Sequence, residues 1–504
     1  MKTKRAVATV RKVAAGAGAS AAAQIHAWEN DPFAQATPTN PPVQATPIAR
    51  PVPNLGSTPL AIGISSPQPP PQVYNTGTPE FRYWAATEAL GRGRDFWRGI
   101  LPAGTNWYTT VGPKLIVNLD NGVDLNAYYD RHNLDFFHGS AGGMTVYSGE
   151  SPDVVCHELG HATLDALKPA LFNAGFIETA AFHESFGDMS ALLSALQTTQ
   201  MRHDVLAETH GHLARSSSLS RLAEQLGWAI RQSSPSAVDP DCLRNAANSL
   251  FYRDPSTLPP SAPASSLSSE PHSFSRVFTG AFLDALAGML HVVAHGRRPT
   301  EAELHAVSKK AADYLIGAIE NATVVPTFYS QVAAAMVHRA HPADKHAVVG
   351  GFVQHGILSL PAAASAIAGT ARVTAAAAAA PVSTKPSPDL EDVTIDGAQY
   401  GFGTQTLLVH GMAEGAGFRA SAAVLGVGAM PQPAPEQAAK DFLEDLIQLG
   451  RIELKVSGTT AGAFALTQPK SSRLKTHEIV KEGTFLRLRR VRFDCGFDCG
   501  CSGH

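Results

Sequence analysis

Two interruptions divide this chain before any motif is considered. From Pro38 to Pro71, prolines recur with Thr, Gln and Ser between them, and residues 361–390 are dominated by alanine and end in Pro381, Pro386 and Pro388. Proline removes a backbone donor and stops helices, and a polar, proline-dense stretch cannot bury enough apolar surface to offset its ordering entropy. Residues 1–75 therefore read as a disordered leader and 361–390 as a linker, part of which alanine can make helical. A folded body is confined to about 76–360, and a smaller unit of no assignable role to 391–504. The 504 residues fit two or three domains, and a hydrophobic share of 44% is enough to build cores.

Within the body, strand-like pieces at 114–119, 126–129, 136–140 and 144–147 follow a helical stretch at 81–97. Apolar residues then recur at helical spacing over 182–196, 219–230, 273–293, 301–319 and 328–337. The spacing predicts an α+β protein: a β-rich lobe over 76–189 that ends in helices, then a helical lobe over 190–360. In the smaller unit, Gly-rich strand-like pieces surround one helix near 435–449.

Composition excludes some classes. The formal charge is −3, from 40 basic and 43 acidic residues, so nothing draws the chain toward nucleic acid. No run of about 18 apolar residues marks a membrane span. Lys2, Lys4, Arg5, Arg11 and Lys12 precede an Ala/Gly stretch in the outline of a signal peptide. The stretch is too poor in large apolar residues to decide between export and the cytoplasm. Cys156, Cys242, Cys495, Cys499 and Cys501 are odd in number and scattered, which is not a disulfide framework. With His504 the last three offer a second metal set, a disulfide or a recognition tag. Arg487, Arg489, Arg490 and Arg492 before them read as a solvated strand face.

The chemistry concentrates at His157-Glu158-Leu159-Gly160-His161. Ser151-Pro152-Asp153 is a helix start: a capping hydroxyl, a proline for the first turn and a negative charge at the positive end. Residues four apart share a helix face, so His157 and His161 can offer two imidazole nitrogens to one zinc ion, with Glu158 beside them to take a proton from water. Glu184, 23 residues past His161, is the candidate third ligand. Asp188, one turn further on, is suited to accept the free ring N–H of a ligating histidine.

These residues, with the segment from Phe137 to Tyr147, the segment Cys242-Leu243-Arg244-Asn245, His272-Ser273-Phe274-Ser275, and the stretch from Thr327 to Ala335, resemble the thermolysin-like (gluzincin) metalloendopeptidases over about 76–360. The resemblance implies a two-lobed fold with one zinc in the cleft, held by His157, His161 and Glu184, and Glu158 as general base. It makes His272 the oxyanion donor and Arg244 the holder of a substrate carbonyl. Val154 and Leu243 would line an apolar pocket for the residue after the scissile bond, and the strand around Phe136 would pair with substrate backbone.

Several positions depart from the family pattern. Phe172 is the best-placed residue where the family has an oxyanion-donating tyrosine. His183 replaces the usual asparagine before the third ligand, and Glu270 is the available acidic partner for His272. Asp153 of the family's calcium cluster is retained, but Ala195 stands where a glutamate is expected, so calcium binding is expected to be weak or absent. The reading is a zinc endopeptidase acting on peptides or proteins, without nucleic-acid partners. A non-catalytic binding protein on the same fold is the alternative, favoured by Phe172 and His183.

Overall fold

The computed structural model describes residues 23–34, 44–369, 390–411, 420–424, 428–455 and 474–495. Cys499, Cys501 and His504 lie outside them. Helices and sheets combine in an α+β arrangement.

The chain opens with β1 (Gln24–Ala27) paired antiparallel to β2 (Ile48–Pro51), where a disordered leader was expected. The difference is burial supplied from elsewhere. Trp28 packs edge-on against Phe81 at 5.3 Å and Phe33 against Trp228 at 5.5 Å. Asp31 is fully buried and accepts hydrogen bonds from the Ser151 hydroxyl at 2.6 Å and the Gln225 amide at 2.9 Å. A proline-rich segment has too little apolar surface to fold alone, yet a few aromatic anchors order it on a preformed surface.

Next come β3 (Ala61–Ile64) and α1 (Pro79–Arg98), capped by Thr78 with proline in the first turn. They are followed by β4 (Lys114–Asn118), β5 (Ala127–Tyr129), β6 (Asn133–Phe136) and the hairpin of β7 (His138–Ala141) with β8 (Met144–Tyr147). β3, β4 and β6 run parallel as neighbours, and β5 lies antiparallel on β6.

Helix α2 (Pro152–Leu167) starts as expected: the Ser151 side chain accepts from the Val154 amide and Pro152 fills the first turn. After α3 (Ala170–Asn173), α4 (Ile177–Ala195) packs along α2. Glycines set how closely. A Cβ on Gly160 would lie 2.9 Å from the Gly187 Cα, and one on Gly187 would lie 2.6 Å from the His157 ring. Two facing glycines thus let the helix backbones approach until a histidine of one meets a carboxylate of the other.

α5 (Thr199–Glu208) follows. The helix expected over 219–230 is only half present. Residues Arg221–Leu222 form β9, and α6 (Glu224–Arg231) begins after Ala223, whose backbone is left-handed at φ 52°. A non-glycine residue in that conformation cannot continue a right-handed helix. β9 pairs instead with β10 (Arg244–Asn245). The remaining helices are α7 (Pro271–Ala294), α8 (Glu301–Asn321), α9 (Phe328–Arg339), α10 (Lys345–Gln354) and α11 (Leu360–Ala368), the last reaching into the expected linker. Among the described residues, α7 is the one helix long and apolar enough to cross a membrane, and 67% of that apolar window is buried inside the protein.

The C-terminal part comprises β11 (Asp392–Asp396), β12 (Thr406–His410), β13 (Ala423–Val424), β14 (Gly428–Ala429), α12 (Pro435–Gln448), β15 (Ile452–Leu454), β16 (His477–Glu482), β17 (Phe485–Arg490) and β18 (Phe493–Asp494). One sheet has the order β11-β12-β17-β16-β15. Val409, Phe442 and Ile479 share the main hydrophobic core with the helices before them. β18 then leaves this unit and adds antiparallel to β5, giving the first sheet the order β18-β5-β6-β4-β3. Its approach corrects the expectation of a solvated arginine face. Arg487 and Arg489 pair with Asp392 and Glu478, but Arg490 is buried and its guanidinium lies 4.0 Å from the centre of the Phe493 ring.

Candidate metal centre

Helical spacing brings His157 and His161 to one face of α2, and the glycine contact brings α4 alongside. The Nε2 atoms of His157 and His161 lie 3.2 and 3.7 Å from Glu184 Oε2. All three atoms are buried and without a hydrogen-bond partner among the described residues. Buried polar atoms are rarely left so; three converging lone pairs are what a bound cation requires. The other ring nitrogens are satisfied. His157 Nδ1 donates to Asp188 Oδ1 at 3.0 Å, and His161 Nδ1 lies 3.0 Å from His183 Nδ1. These contacts turn each Nε2 toward the centre. His183, where the family resemblance leads to asparagine, thus supplies an acceptor for His161.

Burial opposes the His157 cation, but the nearby carboxylates of Asp188 and Glu184 outweigh it and raise the pKa to about 9. His161 is pushed well down by burial and by the neighbouring histidines. Glu158 is fully buried, which pushes its pKa up to about 8. Neither of its oxygens has a hydrogen-bond partner of good geometry among the described residues, though the Cys495 thiol stands close enough to favour its charged form.

Across the centre, His272 Nε2 lies 3.3 Å from Glu184 Oε2. Its Nδ1 donates to Glu270 Oε1 at 2.6 Å, so Glu270 is the acidic partner of this ring. Burial works against the His272 cation, but Glu184 and Glu270 raise its pKa to about 10, and Glu270 is drawn down in turn to about 2. Glu270 also caps α7 by accepting from the Ser273 amide. Arg244 donates to Asp188 from Nε and Nη2, the latter at 2.8 Å, while its Nη1 has no partner among the described residues.

Val154 and Leu243 line one small cavity together with His157 and Arg244. Phe136 does not belong to the site. It is fully buried in β6, an interior strand bonded on both sides, and cannot pair with a substrate. The strand to which a further strand adds is β5, and here that strand is β18. Phe172 sits beside the site rather than in it. Its ring packs edge-on against Phe493 at 5.3 Å and His183 at 6.3 Å, under the Arg131 guanidinium at 4.0 Å.

β18 lies over the centre. Phe493 stacks on His183 at 3.9 Å and on His161 at 5.0 Å. The Asp494 carbonyl accepts from His272 Nε2 at 2.5 Å, and the Cys495 amide donates to the Ala127 carbonyl at 2.9 Å. Sequence reasoning left the tail without a place, because nothing local ties it to helices more than two hundred residues away.

A second buried set was missed altogether. Asp31, Asp153 and Glu224 bring carboxylate oxygens within 4.8 Å of one another. Both Glu224 oxygens lack a hydrogen-bond partner among the described residues, although Arg221 stands 3.6 Å away. Asp31 and Glu224 come to Asp153 from segments remote from it in sequence. Both the histidine–glutamate set and the carboxylate set can hold a metal ion.

No family model matches this chain, and no curated protein matches it.

Proposed function

We propose that this protein is a zinc-dependent endopeptidase of thermolysin-like, two-lobed architecture, cleaving before bulky apolar residues. The observation that carries the reading is the convergence of three unpartnered ligand atoms, from His157, His161 and Glu184, with Glu158 at their side and His272 opposite. Zinc bound there would supply Lewis-acid chemistry, making water acidic near neutrality and polarising a peptide carbonyl.

The rest of the work falls to the chain. Glu158 takes the proton of the attacking water and returns it to the leaving nitrogen. His272 aims an N–H at the carbonyl oxygen as charge develops there, with its ring fixed by Glu270. Arg244, anchored on Asp188, keeps Nη1 for a backbone carbonyl of the substrate. Val154 and Leu243 favour an apolar side chain just past the scissile bond, and β5 takes an added strand, the place β18 fills here.

Elemental analysis and hydrolysis of an unfolded casein, with and without chelator, test the proposal. The expected result is one zinc per chain at this centre and chelator-sensitive cleavage on the N-terminal side of Leu, Phe, Ile or Val. Zinc-loaded protein with its cleft open that leaves casein intact would overturn it in favour of a binding role.

A further inference from the structure

Resting on the peptidase reading, we infer that the protein's own C-terminal segment is its first substrate, cut in cis between Asp494 and Cys495. The segment lies in the cleft as a substrate would. Phe493 pairs with Tyr129 and Asp494 with Tyr128, antiparallel to the edge of β5, and the Cys495 amide continues the ladder to the Ala127 carbonyl. Added-strand pairing of this kind fixes which peptide bond faces the catalytic groups. Here it is the Asp494–Cys495 bond.

Each group the reaction needs meets that bond. The Asp494 carbonyl oxygen accepts from His272 Nε2, the donor assigned to the oxyanion. Cys495 lines the cavity formed by Val154, His157, Leu243 and Arg244, the pocket for the residue after the scissile bond. Its thiol neighbours Glu158, the proposed base.

The segment is also held on both sides of Phe493. Arg490 covers the Phe493 ring and Arg451 pairs with the Asp494 carboxylate at 3.3 Å. Phe493, Asp494 and Cys495 are all buried. A solvent-facing tail has no reason to bury an aspartate and a cysteine beside His272, His157 and Arg244.

The step balances with one water. The water oxygen bonds to the Asp494 carbonyl carbon and the carbon–nitrogen bond breaks. Glu158 carries the two water protons in turn to the Cys495 nitrogen. The products are an α-carboxylate on Asp494 and a peptide of residues 495–504 with an α-ammonium group on Cys495. Until then the segment fills the cleft and keeps other peptides out.

The test uses the full-length chain purified with chelator. Before zinc is added, pulse alkylation and peptide mapping read the accessibility of Cys495. We expect it to react ~10-fold or more slowly in the parent than in Phe493→Gly, where the strand loses its ring contacts. Zinc is then added and intact mass followed over a wide range of protein concentration. The expected result is loss of residues 495–504 with first-order kinetics independent of concentration. Glu158→Gln should stay whole with zinc bound. Cys495→Pro, which lacks the amide hydrogen bonded to Ala127, should resist cleavage at this bond.

Equal alkylation of Cys495 in parent and Phe493→Gly overturns the seating of the segment. Trimming that slows on dilution overturns cleavage in cis. A protein that cuts casein, as parent or as Phe493→Gly, while the parent keeps residues 495–504 also overturns the inference, and leaves the peptidase reading intact. Zinc-loaded Phe493→Gly that cuts nothing counts against the peptidase reading itself.

Discussion

Helix α2 contributes to two buried ligand clusters, and they are built on opposite plans. Towards its C-terminal half, His157 and His161 meet Glu184 in a set of mixed ligands, and partners on the far side of each ring fix its direction. One turn before His157, Asp153 meets Asp31 and Glu224 in a set made only of carboxylates. Burial raises all three carboxyls, with mutual repulsion adding to the rise in Asp153 and Glu224. The first cluster is oriented before any ion arrives. The second is held at a cost that either protons or a hard cation must relieve.

The sharpest way to break this contrast is at Glu158. On the proposed roles, Glu158→Gln removes the base and leaves His157, His161 and Glu184 in place, so zinc content should be unchanged while peptide hydrolysis falls by ~10²–10⁴. Loss of zinc together with activity would show that Glu158 belongs to the ligand set. His272→Ala comes next. It deletes the donor across the cleft and should lower turnover by ~10²–10³, again with zinc retained. Glu270→Gln should do less, since it alters how the ring is held and leaves the ring in place. Activity of His272→Ala equal to the parent would remove the oxyanion assignment.

A third test asks whether orientation depends on the helix contact. Gly187→Ala places a methyl where the His157 ring now lies, 2.6 Å from its Nδ1. The ring must turn and its bond to Asp188 must weaken, so zinc affinity should fall by ~10–100-fold, read by competition with a chromogenic chelator. Gly160→Ala should act in the same direction through the facing helix. If both variants bind zinc like the parent, the close approach of α2 and α4 does not set the geometry.

The same contrast explains what could be read from the sequence. His157, Glu158 and His161 lie within one helix whose period is visible in the residues, and Glu184 and Asp188 repeat that logic on the next long helix. Glu270 was legible because it sits two residues from His272. The carboxylate cluster was not, because Asp31 comes from a proline-rich leader with no fold of its own, and Glu224 follows a left-handed residue that interrupts an apolar helical pattern. The edge strand was misassigned to Phe136 for a related reason. Both β5 and β6 are short and apolar, and only the order of strands in the sheet decides which is exposed to an added partner. β18 joins that edge from the other end of the chain, and no local pattern announces such a pairing.

The smallest expected effect belongs to the carboxylate cluster, and its sign can be worked out. Burial raises the Asp31 pKa to about 6 and the Asp153 pKa to about 7, and pushes Glu224 up as well. In the unfolded chain such groups ionise near pH ~4. Above the unfolded values the folded state binds more protons, so without a cation its stability falls as pH rises from ~4 through the raised values of the three groups. Calcium takes oxygen ligands and would replace the protons. Adding millimolar calcium to the zinc-loaded protein should therefore raise Tm by a few degrees at about pH 8 and hardly at all at about pH 5. Asp31→Asn removes one of the three charges. Its Tm should vary less with pH than the parent's and should not respond to calcium. Calorimetry of the two proteins at both pH values decides the matter. An equal calcium response in Asp31→Asn would place the ion elsewhere, and no response in the parent would accord with the weak calcium binding expected from Ala195.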